Sequence, residues 1–106
     1  MQPAFPHQRL DRYQLAVGVA RWVRTQRFPP RSTDLADQAN RAAQSVVLNS
    51  AEGAGRGGPA GRNHFRIALG SAAELSAVLD LVDLPEIAAR QAELQRIGAM
   101  LRRMAG

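Results

Sequence analysis

The stretch RAAQSVVLNSAEGAGRGGPAG, Arg41 to Gly61, changes character halfway along. In its first half Ala42, Ala43, Val46 and Val47 return to one side at helical spacing. Its second half holds five glycines, Gly53, Gly55, Gly57, Gly58 and Gly61. That run reads either as a phosphate cradle or as the end of a helix. A P-loop requires G-x-x-x-x-G-K-[ST] entered from a strand. The chain has no lysine, and the run follows a helical pattern. Gly53, Gly55 and Gly58 match the G-x-G-x-x-G spacing of dinucleotide sites, but that motif also opens from a strand. The run is therefore read as a helix stop, with Gly53 as the left-handed C-cap.

Working outward, the same helix begins near "RSTDLADQ", where Ser32 or Thr33 serves as N-cap and Asp34 and Asp37 suit the positive end of the helix dipole. Leu35, Ala39, Ala42, Ala43, Val46 and Val47 form its buried stripe. Before it, Ala16, Val19, Ala20 and Val23 mark a first helix, flanked by Leu15 and Trp22 and stopped by Phe28-Pro29-Pro30. After the glycines, Phe65, Ala68, Leu69, Ala72, Leu75, Leu79 and Val82 give a third helix a near-heptad core face. Pro85 opens a fourth at its first turn, lined by Ile87, Leu94, Ile97, Leu101 and Met104. Arg90 intrudes on that lining and needs an acidic partner or a route to solvent. The expected spans are about 10–27, 34–52, 61–84 and 86–104. Short connections between four helices predict an antiparallel up-down bundle in one domain, 1–106, with residues 1–9 as a flexible lead-in.

Composition excludes several classes of function. Without cysteine there are no disulfides and no cysteine-rich zinc site. No apolar run reaches the ~18 residues of a membrane span, and no signal peptide is evident, so a soluble cytoplasmic protein is expected. His7 and His64 are the only histidines, and no Glu-x-x-His pair of a di-iron bundle occurs. His64 reads as a surface or capping residue. No serine has a base in view, and Glu52 and Glu74 have no nucleophile or metal beside them. The expectation is a non-enzyme without cofactor or metal.

All 14 basic residues are arginines, and the net charge is +5. Arginine binds phosphate in a planar, bidentate way. Arg21, Arg24 and Arg27 on the first helix, Arg56 and Arg62 in the glycine run, and Arg102 and Arg103 near the C-terminus are the candidate nucleic-acid contacts. No aromatic platform accompanies them, so phosphate contact without sequence preference is expected. Two further sets stand out. Arg41, Ser45 and Glu52 fall within about 40° on a helical wheel with Asn49 beside them, either as a solvated face or as a hydrogen-bonded network. Leu48, Ile67, Val78 and Leu81 are apolar away from the core stripes, which predicts an oligomer interface.

Two motifs, "RAAQSVVLNSAEGAGR" and "FRIALGSAAEL", occur in this order and resemble the signature of four-helix-bundle proteins encoded in bacterial rRNA intervening sequences. Arg41, Ala42, Ala43, Ser45, Val46, Asn49, Ala51, Glu52, Gly53, Gly55 and Arg56 fit the first; Phe65, Ala68, Gly70, Ser71, Glu74 and Leu75 fit the second. Ser50 departs from the family's usual apolar residue, and the loop is richer in glycine. The resemblance implies a bundle that assembles as a ring, commonly a homopentamer. It also implies kinship with accessory proteins of diversity-generating retroelements, which bind nucleic acid and a reverse transcriptase. It makes Arg41, Ser45, Asn49, Glu52 and Glu74 a structural polar network. The function expected is a nucleic-acid-binding assembly; the alternative is a purely structural or protein-partner module whose charge is incidental.

Overall fold

The helix through Arg41 does not stop at Gly53. In the computed structural model, which describes residues 4–106, it continues to Arg56. A 3-10 turn at Pro6–Arg9 precedes four helices: α1 (Tyr13–Thr25), α2 (Thr33–Arg56), α3 (Gly58–Asp80) and α4 (Ile87–Ala105). The true stop is Gly57 (φ 65°), followed by Gly58 (φ 61°), both in the left-handed region that favours glycine. Gly53 remains helical for a different reason. It is buried, and a Cβ on it would lie 2.9 Å from Phe65 Cζ. A Cβ on Gly61 would lie 2.5 Å from the Gly53 carbonyl oxygen. One glycine pair turns the chain, and another lets α2 and α3 meet backbone to backbone.

Consecutive helices run antiparallel and close into a bundle. On the α2–α3 side, Ser45 faces Ser71 and Asn49 faces His64. Ser76 faces Gln91 across α3–α4. Between α1 and α4, the Arg12 N–H reaches Met100 Sδ at 3.3 Å, and Arg103 approaches Asp11. The core runs between them through Val19 and Val23, Ala39 and Val46, Leu75 and Leu79, and Ile97, Met100 and Leu101. Each fully buried Leu or Ile stabilises the fold by about 1.5–3 kcal/mol relative to exposure. Ser50 is wholly buried, and its hydroxyl donates to the Val46 carbonyl at 2.6 Å. That bond one turn back satisfies the polar group in an apolar site.

The helix ends depart from expectation at three places. Ser32 occupies the N-cap of α2 but makes no side-chain cap bond. α3 ends at Asp80, and Pro85 precedes α4 instead of sitting in its first turn. The turn between sends Leu81 into solvent and Leu84 into the core, with Glu86 left-handed at φ 68°. Met104, expected inside, is 37% exposed. Of the expected flexible lead-in, residues 1–3 lie outside the described residues, and Pro6–Arg9 form a turn with His7 stacked on Phe5 and edge-on to Tyr13.

Val78 requires a correction. It is only 5% exposed and belongs to the monomer's core, not to an outward face. Val78 follows Ser71 by seven residues, hence lies on the same line of α3, and Ser71 bonds Ser45 of α2. Because α3 packs against both α2 and α4, it buries a wider arc than one stripe.

Candidate nucleic-acid interface and polar seam

Part of the expected network exists, along the α2–α3 seam. The Ser45 and Ser71 hydroxyls share a 2.7 Å hydrogen bond. The Asn49 amide donates to the Ser45 carbonyl and hydroxyl, both at 3.1 Å. With its amide nitrogen so engaged, the Asn49 oxygen accepts from His64 Nδ1 at 2.9 Å. Ser45, Asn49, His64 and Ser71 are half-buried, where each such bond is worth about 1 kcal/mol net. Sequence reading missed His64 as a member. The signal was there once the turn is placed at Gly57, because Asn49 and His64 then stand at nearly equal distances on either side of it. Arg41 and Glu74 are exposed and make no side-chain hydrogen bond or ion pair among the described residues. Glu52 stays outside the seam and accepts from Arg56 Nε at 2.8 Å. The Arg56 hydrogen bond and charge hold the Glu52 carboxyl below its ordinary range, with a smaller contribution from His64.

Arg90 finds the acidic partner it needs. It pairs with Glu93 and Glu86 and lies over the Trp22 ring, 5.8 Å from its centroid. This ties α4 to α1 through a cation–π contact.

The antiparallel topology sorts the charges. The glycine-hairpin end gathers the start of α1, the end of α2, the start of α3 and the end of α4. It carries Arg9, Arg12, Arg56, Arg62, Arg66, Arg102 and Arg103 against only Asp11 and Glu52. The opposite end carries Arg24, Arg27, Arg31 and Arg90 against Asp34, Asp37, Asp80, Asp83, Glu86 and Glu93. The molecule is thus positive at one end and negative at the other. Four of the candidate arginines, Arg56, Arg62, Arg102 and Arg103, fall together at the positive end. Arg62 lies beside Gly106 at the close of α4. Arg56 and Arg103 lean on Glu52 and Asp11 in exposed pairs, while Arg62 and Arg102 have no ion pair among the described residues. Arg21 and Arg24 are elsewhere, on a groove of about 360 Å³ between α1 and α2, and Arg27 is exposed just past the end of α1.

Of the apolar residues read as facing outward, Leu48 is 57%, Ile67 45% and Leu81 70% exposed. Among the described residues no group of histidines and carboxylates is placed to hold a metal ion, and no helix is long and apolar enough to cross a membrane.

Fold and surface define a small basic four-helix bundle with a glycine-tight central hairpin and a polar seam. The chain belongs to the 23S rRNA-intervening sequence protein family, whose model matches residues 8–103. The resemblance carried by the two motifs therefore holds. No match was found among curated proteins.

Proposed function

We propose that the protein is a non-enzymatic, self-assembling bundle that binds nucleic acid by its phosphates, with the arginine-rich hairpin end as the contact face. The observation that carries this reading is the segregation of charge, with Arg62, Arg66 and Arg102 exposed and lacking carboxylate partners among the described residues. Membership in a family named for an rRNA intervening sequence favours RNA as the natural ligand. A ring, with five subunits as the family resemblance implies, repeats this end about its axis and converts a modest patch into a multivalent one. Service to an rRNA-associated element or to a reverse transcriptase is the corresponding role, in the cytoplasm.

The test is a titration of the purified protein with short RNA and DNA. About four phosphate contacts give a roughly 50–150-fold loss of affinity between ~50 and ~200 mM salt, with little dependence on sequence. A second reading, a structural or protein-partner module, is supported by the exposure of Leu48, Ile67 and Leu81. Absence of binding at low salt, or binding indifferent to salt, selects that reading instead.

A further inference from the structure

The groove between α1 and α2 has an apolar floor of Val17, Ala20, Val47 and Leu48 and carries Arg21 and Arg24. Neither arginine has an ion pair among the described residues. The turn after α3 has the opposite character. Leu81 is 70% exposed, more than any other large apolar side chain described, and Asp80, Asp83 and Glu86 surround it in sequence. Asp80 accepts from Gln91 at 2.9 Å and Glu86 reaches Arg90 at 3.4 Å, whereas Asp83 has no polar partner among the described side chains. One surface is an apolar hollow rimmed by cations, and the other is an apolar knob flanked by carboxylates.

We infer that the two are halves of one interface, the Leu81 turn of one copy seated in the α1–α2 groove of the next. The placement allows it. The helices follow one another around the bundle, so the α1–α2 and α3–α4 faces lie on opposite sides. The turn stands at the end of the bundle where α1 finishes, at the height of Arg24. Two different patches in contact make a heterologous interface, which propagates into a closed ring when the rotation closes. Leu81 then packs at the Ala20–Arg24 end of the groove, and Asp83 meets Arg21 and Arg24. Those two arginines are thereby assigned to assembly, leaving phosphate contact to the hairpin end. This inference rests on the self-assembly reading above.

The chain has no cysteine, which makes cross-linking the direct test. Asn40→Cys, in the groove beside Arg24, and Leu81→Cys are prepared separately, refolded together, and oxidised. The expected result is a disulfide-linked pair in the mixture and none in either variant alone. Pairing of a single variant with itself would indicate a two-fold contact and overturn the inference. As a second measurement, Arg24→Glu should weaken assembly about tenfold, and adding Asp83→Arg should recover most of it. Circular dichroism checks that the helices persist. A wild-type assembly that neither cross-links in the mixture nor responds to the charge exchange defeats this interface while leaving self-assembly intact. A monomeric wild type by light scattering defeats both.

Discussion

The carbonyl oxygen of Gly53 fills the space in which Gly61 would carry a side chain, 2.5 Å from the position of its Cβ. Backbone meets backbone there, and a methyl group has no flexible neighbour to push aside. Gly61→Ala should therefore cost about 1–3 kcal/mol from overpacking, less about 0.5–1 kcal/mol returned by helix propensity. Gly55, also within α2, has nothing within 4 Å of its Cβ position. Gly55→Ala should stabilise the protein by about 0.5–1 kcal/mol. Urea denaturation should move the two midpoints in opposite directions. A Gly61→Ala protein as stable as the parent would mean that α2 and α3 are not held this closely.

Glu52 provides a pH signature. Its carboxyl lies below its ordinary value of 4.5, chiefly through the hydrogen bond and charge of Arg56. A depressed folded-state pKa means that the unfolded chain takes up the proton first as pH falls. The contribution to stability is present above about pH 4.5 and is lost as pH falls through the folded-state value. Both side chains are more than half exposed, so solvent screens the pair and the stability effect is small. The titration itself is the sensitive readout. Arg56→Gln should raise the Glu52 midpoint, followed by carboxyl NMR, and should narrow the stability difference between parent and variant on acidification. An unchanged midpoint would show that the pair does not persist in solution.

The four helices and most of their inner faces were legible in the sequence because buried residues within each repeat at helical spacing, as Ala16, Val19 and Val23 do in α1 and Leu94, Ile97 and Leu101 in α4. The hairpin was less so. Glycine counts the same in a sequence whether it supplies a left-handed turn, as Gly57 does, or a close approach, as Gly53 does. Only the opposing helix distinguishes them. Likewise the seam partner of Asn49 depends on where the turn is centred, and moving it from Gly53 to Gly57 is what brings His64 into place. Arg62 and Arg102 looked unrelated because forty residues separate them. The up-down topology brings the start of α3 and the end of α4 to one end.

Val78 and Leu81, only three residues apart, should respond in opposite ways to the same substitution. Val78 is 5% exposed and Leu81 70%. Val78→Glu places a carboxylate in the apolar core, a loss of at least about 3 kcal/mol. For a small domain that is a large share of the total, so its circular dichroism melt should shift down sharply or vanish. Leu81→Glu should leave the subunit's own stability within about 0.5 kcal/mol. Equal loss of helix in the two variants would place Leu81 in the core as well.

The hairpin-end arginines should separate from the others when nucleic-acid affinity is measured. Arg56 and Arg103 are held by single exposed carboxylates, at 2.8 Å and 3.5 Å. Such pairs are worth about 0–1 kcal/mol, so a phosphate competes easily for the guanidinium. Arg62 and Arg102 have no such competitor among the described residues. Arg62→Ala with Arg102→Ala should reduce affinity by a similar factor for every sequence tested and flatten the salt slope by about two phosphate contacts. The helices should survive, because both side chains are exposed. Arg27→Ala, at the acidic end, should change the slope little. The comparison requires fluorescence anisotropy of one labelled RNA at several salt concentrations for all three proteins. Equal losses from both sets would mean that binding follows net charge over the whole surface, and a larger loss from Arg27→Ala would move the contact face to the opposite end of the bundle.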